Sequence, residues 1–452
     1  MNIVIVGDGK VGYALSEQLN REGHDITVID NDRKTLNETT ELLDVMGVRG
    51  NGASRLIQIE AGVEDADLLI AATSGDELNM ICCLTAKHLG CKNTIARIRN
   101  PEYMHQLDMF KEQFGLSMVI NPEQEAAREI SRVIKFPSAV KVDIFSKGRV
   151  ELVEFRIPPD SPVIDKRLMD IRFARGSKIL ICAVERNGQA HIPNGPFILR
   201  KGDTIYLTGT GHAITNFIQS IGGELHRIRS VLIVGGGRLG YYLARLLGDK
   251  RYTIKIIEKD GKRCEELCDS LPDATIIHGD GSEQDLLESE GLANADAFIA
   301  LTGIDEENMI MSMVAKKSGV PKVITKVNRF NYLDMMDTMG IDSVVSPKMS
   351  TAVQITQYVR AMQNTLGSGV NTLHHLVDGK AEALEFTVGA HIRHLGETLE
   401  QIRLKKNILV GVIVRSGRVI IPGGRDVLMR GDSVVVITNT HNIGDLNDIF
   451  ED

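Results

Sequence analysis

The chain has 452 residues, 43% of them hydrophobic and 25% charged, and its 52 Lys and Arg against 60 Asp and Glu leave a net charge of −8. That length exceeds what one hydrophobic core serves, so two or more domains are expected, and the negative balance argues against nucleic acid as a partner held by wrapping electrostatic attraction. Apolar runs such as "DLLIAA" and "SKILICAV" stop well short of the ~20 residues that span a bilayer.

The N-terminus, "MNIVIVG", moves directly into a strand and a glycine turn rather than a signal peptide, which reads as a cytosolic protein. After the β-branched run "NIVIV" comes "GDGKVG", with Gly7, Gly9 and Gly12, and then "YALSEQLNREG", where Leu15 and Leu19 stand at helical spacing. The next strand, "DITVID", ends in Asp30, 18 residues past Gly12. Further strands are expected at "LDVMGV", "DLLIAAT", "NTIARI" and "SMVIN", with helical stretches between them. That alternation predicts a Rossmann-like, doubly wound parallel sheet over residues 1–136. From "KFPSAV" the strands shorten to "KVDIFS", "VELVEFRI", "KILICAVER" and "DTIYLTG", punctuated by "PPDSP", "RNGQ" and "PNGP". A small α+β domain is expected there, over residues 137–225.

A single GxGxxG is weak, because 43 glycines in 452 residues give roughly 0.4 chance matches. Here the pattern returns. "SVLIV" leads into "GGGRLG", with Gly235, Gly237 and Gly240, followed by Leu243, Leu246 and Leu247 and by "YTIKIIE", which ends in Glu258, again 18 residues past the last glycine. Gly7, Gly12 and Asp30 map onto Gly235, Gly240 and Glu258 at an offset of 228. Asp67, Thr73 and Asn79 map onto Asp296, Thr302 and Asn308 at 229, as do Pro193, Gly195, Gly202 and Asp203 onto Pro422, Gly424, Gly431 and Asp432. The chain is a tandem duplication of a unit of about 225 residues, which places a second Rossmann-like domain at 226–366 and a second small domain at 367–452.

Each glycine run suits a phosphate. Gly7 and Gly235 turn the chain out of the strand, Gly9 and Gly237 leave the backbone open, and Gly12 and Gly240 let the helix pack on the sheet. The helix N-terminus then stabilises the anion. Asp30 and Glu258 offer acceptors to ribose hydroxyls and repel a 2′-phosphate, which favours NAD over NADP. Turn glycines and strand-end carboxylates without a ligand are the plain alternative, and two copies at matched spacing argue against it. Lys10 and Arg238 either reach the phosphates or sit solvated on the rim. Thr73, Ser74 and Thr302 fall at the carboxyl edge of the sheet, where Ser74 or Asp76 also suits a helix N-cap. Arg97, or Lys326 in the second copy, ends the next strand within reach of the same ligand.

Other chemistry is poorly represented. The six cysteines form no CxxC pair, which reads as free thiols in a reducing compartment. His391 and His394, in "HIRH", have no Cys or carboxylate cluster beside them and are placed on the surface rather than on a metal. Neither a P-loop nor a repeated Ser/His/Asp or Cys/His set occurs, and the small domain offers no proton-transfer residue for a hydride reaction. The sites read as built to bind rather than to react. Met309, Met311, Met313, Met335, Met336 and Met339 suit either an adaptable interface or ordinary core filling.

The order "VIVGDGKVG … ITVID … GNG … ADLLIAATSGDELN … IARIRNPEY", then "PNGPFILRKGDTIYL", then all of it again, resembles the family of Trk-type potassium uptake peripheral subunits. These are built from tandem RCK/KTN (regulator of potassium conductance) units. The resemblance covers essentially the whole chain. It implies RCK N-terminal and C-terminal domains, NAD(H) and ATP or ADP as ligands, and no enzymatic activity. It implies a ring-like homo-oligomer, peripheral on the cytoplasmic side of the inner membrane, beneath a separate potassium-translocating subunit. Carried over residue by residue, the binding positions are Gly7, Asp8, Gly9, Lys10, Val11, Gly12, Asp30, Thr73, Ser74 and Arg97. In the second half they are Gly235, Gly236, Gly237, Arg238, Leu239, Gly240, Glu258 and Thr302. Asp8 replaces the family's usual small residue and is expected as an anion close to the phosphate site. Gly303 and Lys326 replace the counterparts of Ser74 and Arg97, which favours a mononucleotide in the second half. The helices "PEQEAAREISRVIKF" and "PKMSTAVQITQYVRAM" are expected to cross to a neighbour and carry motion. An NAD-dependent oxidoreductase and a nucleotide sensor for a different ion transporter remain the alternatives.

Overall fold

The computed structural model describes residues 1–104, 106–136, 139–146, 149–171, 179–223, 227–248, 251–329, 341, 343–363, 369–377, 379–440 and 443–451. The first unit opens with β1 (Asn2–Val6), α1 (Lys10–Arg21), β2 (Asp25–Asp30), α2 (Arg33–Leu42), β3 (Met46–Arg49), α3 (Arg55–Glu60), β4 (Leu68–Ala71) and α4 (Asp76–Leu89). It continues with β5 (Asn93–Arg97), α5 (Pro101–Met104), α6 (Leu107–Phe114), β6 (Met118–Ile120) and α7 (Pro122–Lys135). The strands lie in the order β3-β2-β1-β4-β5-β6, and every neighbouring pair is parallel. Helices cover both faces, which is why β1 is a continuous β-branched run: Ile3 and Ile5 enter one core, Val4 and Val6 the other. Strand order reverses at β1, so the crevice beyond the ends of β1 and β4 is where such a fold takes a ligand.

An antiparallel sheet follows, from β7 (Lys141–Phe145), β8 (Val150–Arg156), β9 (Ile179–Arg186), β10 (Gln189–His191) and β11 (Thr204–Gly209), with α8 (Gly211–Ser220) after it. Its order is β10-β9-β11-β8-β7. The second unit repeats both parts. Its parallel sheet uses β12 (Ser230–Val234), α9 (Arg238–Leu247), β13 (Thr253–Glu258), α10 (Gly261–Ser270), β14 (Ala274–His278), α11 (Gln284–Ser289), β15 (Ala297–Ala300), α12 (Asp305–Lys317), β16 (Lys322–Lys326) and β17 (Ser343–Val345). After α13 (Pro347–Gln363) come β18 (Val370–Leu376), β19 (Ala381–Thr387), β20 (Ile408–Arg415), β21 (Arg418–Ile420) and β22 (Ser433–Thr438). The orders β14-β13-β12-β15-β16-β17 and β18-β19-β22-β20-β21 match those of the first unit.

The repeated Gly-Asp of the small domains is structural. Arg186 grips Asp203 through two bonds of 2.8 Å, and Arg415 grips Asp432 at 2.9 and 2.8 Å. Each buried carboxylate also accepts a backbone N–H from the turn before it, Arg200 or Met429. Planar forks of this kind fix the turn and compensate the buried charge.

The units are interleaved. α7 leaves its own sheet and packs on the other unit: Ala126, Ala127, Ile130, Val133 and Ile134 share one core with Leu239, Tyr242, Leu243 and Leu247 of α9. α13 does the reverse, with Ala352, Ile355 and Val359 closing the core around Leu15 and Leu19 of α1. The neighbour expected for both crossing helices is thus the other half of the same chain. Ser350 Oγ donates to Glu129 Oε2 at 2.8 Å, tying the two helices together, and Arg360 pairs with Glu22 at the end of α1. The two antiparallel sheets also share a core, with Phe145, Leu152 and Tyr206 against Leu376, Ala383 and Val435. Met309 and Met311 are buried core residues and Met313 is exposed; Met335, Met336 and Met339 lie outside the described residues.

Candidate functional site

The glycine turns are built as the spacing predicts. Gly7 has φ +94° and Gly235 φ +105°, conformations that L side chains rarely adopt. A Cβ on Gly12 would lie 1.8 Å from Gly7 O, and one on Gly240 would lie 2.4 Å from Gly235 O, so each helix sits directly against its turn. Gly9 and Gly237 are the N-caps of α1 and α9 without a side-chain cap, and a Cβ on either would meet nothing within 4 Å. The first-turn N–H groups therefore border open space, which fits a phosphate. Val11 and Leu239 turn their side chains into the cores and can offer only backbone.

The two carboxylates are held at the same corner. Asp30 accepts from the N–H of Asp8 at 2.6 Å and of Asp32 at 2.8 Å. Glu258 accepts from Gly236 at 2.7 Å and Asp260 at 2.9 Å. Both are partly exposed, with lone pairs left for ribose hydroxyls. The Asp8 side chain, expected as an anion close to the phosphate site, is buried beside Thr39 and Asp30 rather than exposed at the turn. Burial pushes its carboxyl up to about 6, with Asp30 adding to the rise and the Thr39 hydroxyl opposing it.

At the edge of β4 a second correction applies. Gly75 caps α4, with neither Ser74 nor Asp76 in that role; Asp76 Oδ2 instead accepts from the N–H of Arg99 and Asn100, both at 2.8 Å. Ser74 is exposed beside the crevice. Arg97 turns back and donates to Thr73 O, and Lys326 Nζ donates to Thr302 O at 2.9 Å, so both cations brace the strand end rather than project freely. Burial, then the nearby Arg99, brings Arg97 down to about 10, and burial lowers Lys326.

Sequence reasoning missed the residue that organises this edge. Asn79 Oδ1 accepts from Thr73 N at 2.8 Å and Thr73 Oγ1 at 2.7 Å, while its Nδ2 donates to Thr73 O at 3.3 Å and Arg97 O at 2.8 Å. Asn308 repeats all four bonds on Thr302 and Lys326. The available signal was an Asn six residues after the Thr in both copies, which the repeat alignment contained.

The halves meet close to these corners. Tyr242 of α9 accepts from Asn121 Nδ2 at 3.0 Å and donates to Arg99 O at 2.9 Å, and burial pushes its hydroxyl up to about 12. Across the same boundary Lys10 acts electrostatically on Lys326 and Lys348, and Arg238 acts on Arg97. Each glycine turn therefore has cations of the opposite half near its own. His394 pairs with Glu397 at 3.1 Å, and among the described residues no group of three or more His, Cys, Asp or Glu is placed to hold a metal ion. All six cysteines are free, Cys268 alone among them exposed, and no described helix is long and apolar enough to cross a membrane.

Comparison with known proteins gives a consistent picture. The TrkA-N domain model matches residues 3–122 and 231–347, and the TrkA-C domain model matches 152–222 and 383–451. A Trk system potassium uptake protein TrkA of Halomonas elongata is 34% identical over 100% of this chain and 99% of its own length. A TrkA homolog of Methanosarcina mazei is 33% identical over the full length of both. Among solved structures, the GsuK RCK domain matches with a TM-score of 0.64 at 18% identity, over 96% of this chain and 92% of that one. The GsuK channel bound to NAD matches at 0.62 and 18%, over 97% and 76%.

Proposed function

Since this chain belongs to the TrkA family of potassium uptake proteins, we propose that it is the nucleotide-binding regulatory subunit that gates a Trk-type potassium-translocating membrane subunit. The observation that carries the reading is the pair of glycine turns, each with its acid, joined by reciprocally exchanged helices. A ligand on one turn abuts the helix, α1 or α9, against which the crossing helix of the other half packs, so occupancy biases the packing of the two halves. Gating requires that the two arrangements bind ligand with different affinity.

In this reading Gly7 to Gly12, Asp30, Thr73 and Ser74 hold NAD(H), and Gly235 to Gly240, Glu258 and Thr302 hold a second adenine nucleotide such as ATP or ADP. A GsuK structure with ADP bound, at TM-score 0.52 and 16% identity, has the same fold. Lys10 and Arg238 neutralise phosphate, and Arg97, Lys326 and Lys348 raise the local positive potential from across the boundary. The domains divide at 136/137, 225/226 and 366/367. Copies assemble into a ring through the exposed apolar residues Ile81 of α4 and Ile310 and Met313 of α12, which are 46%, 62% and 45% exposed. The ring sits peripherally on the cytoplasmic side of the inner membrane.

The test is reconstitution with a Trk-type translocating subunit in potassium-loaded vesicles, measuring flux with NADH, ATP or ADP. Flux that responds to nucleotide only when this chain is present supports the reading. Failure to bind the membrane subunit, or steady oxidation of NADH with an added substrate, would refute it.

A further inference from the structure

One position under the ribose-binding acid is built differently in the two halves. In the second half it is Gly236, and a Cβ there would come within 2.4 Å of Leu267 Cδ1, so the leucine methyl fills the space. In the first half, at the same offset of 228, Asp8 replaces the glycine and Thr39 replaces the leucine. An apolar contact has become a buried polar pair. Asp8 is 2% exposed and Thr39 1%, and neither Asp8 oxygen closes a hydrogen bond of ordinary geometry. Burial acts most strongly on Asp8, followed by the Thr39 hydroxyl on α2 and by Asp30 at the end of β2.

Resting on the nucleotide-binding reading above, we propose that Asp8 makes dinucleotide binding at the first site proton-linked, while the Gly236 site binds without taking up a proton. An ionised Asp8 shares its desolvated corner with Asp30, the acid that faces the ribose. A bound pyrophosphate adds negative charge nearby and removes water from the turn, and both favour the neutral acid. The proton comes from solvent as the ligand closes the corner. At the second site the leucine methyl offers nothing to titrate, so the molecule contains its own control. The carboxyl already lies at about 6 without ligand, which puts the effect within the cytosolic pH range. A tenfold gain in proton affinity on binding makes the dinucleotide bind about fivefold more tightly at pH 6 than at pH 8.

The test is calorimetric titration of the full chain with NAD+, whose pyrophosphate does not itself titrate in this range, at pH 6 and pH 8 in two buffers of different ionisation enthalpy. Glu258→Ala leaves the first site as the one observed. That site should bind about fivefold more tightly at pH 6, with net proton uptake. Asp8→Asn should flatten the first site's profile. If that variant folds poorly, Asp8→Gly with Thr39→Leu copies the packing of the second half and must flatten it too. Equal affinity at both pH values, or a slope that survives these substitutions, overturns the role of Asp8 alone. Absence of NAD+ binding at every pH overturns the nucleotide reading together with it.

Discussion

Replacing Ile130 with Ala should loosen the half of the molecule to which Ile130 does not belong in sequence. The side chain is fully buried on α7, in the core formed with Leu239, Tyr242, Leu243 and Leu247. Truncating a buried Ile to Ala costs 2–5 kcal/mol from lost transfer energy and the residual cavity. The exchange of helices fixes where that cost falls. With about 3 kcal/mol removed from sub-global opening of the second parallel-sheet domain, amides there should exchange roughly 150-fold faster. Hydrogen exchange read by mass spectrometry on peptides covering β12, α9 and β13 would show the loss, while β1, α1 and β2 keep their protection. Ile355→Ala on α13 should give the mirror result, because its partners are Leu15 and Leu19. If Ile130→Ala deprotected residues 2–30 and left 230–258 unchanged, the helices would pack within their own units and the interleaved coupling would be wrong.

Other consequences are as direct. Asn79→Ala removes four hydrogen bonds at a buried site and orphans the Thr73 N–H, so urea unfolding should show a loss of about 2–4 kcal/mol, with Asn308→Ala matching it in the second half. Asp30→Ala and Glu258→Ala should each lower nucleotide affinity at one site by about tenfold or more, read by calorimetry; retention of full affinity in both would refute the site assignment. The raised carboxyl of Asp8, at about 6 in the folded chain against 3.8, favours the folded state below about pH 4, and that contribution is lost as pH rises to about 6. Asp8→Asn should therefore be more stable than the parent by about 3 kcal/mol at pH 8, with the gap closing toward pH 4 in pH-dependent unfolding. Burial pushes the Cys82 and Cys182 thiols up to about 12 and leaves Cys268 exposed, so iodoacetamide on the native protein should add one adduct by intact mass.

Much of the architecture is legible because it rests on local rules. β-branched runs bounded by glycine turns specify buried parallel strands, and the same run found twice specifies the same sheet twice. The glycines and acids were visible for the same reason, since strand ends and turns are set by backbone conformation. Side-chain direction at the crevice was not. Arg97 and Lys326 fold back onto carbonyls of the preceding strand, and Asp8 turns inward because Thr39, thirty-one residues later, leaves room that Leu267 fills in the other copy. These choices depend on neighbours that a linear pattern does not place.

By itself the sequence determined that there are two copies of one unit, each a doubly wound parallel sheet with a small α+β companion, and that each carries a phosphate-type turn with an acid 18 residues beyond it. Only the tertiary structure decided whose core each crossing helix completes. Both helices display an apolar face, and duplicated domains present nearly equivalent grooves, so local hydrophobicity cannot choose between them. The choice is made by the pairing of α7 with α9 and α13 with α1, by Ser350 on Glu129 and by Arg360 on Glu22. That pairing gives each half a core completed by a helix of the other.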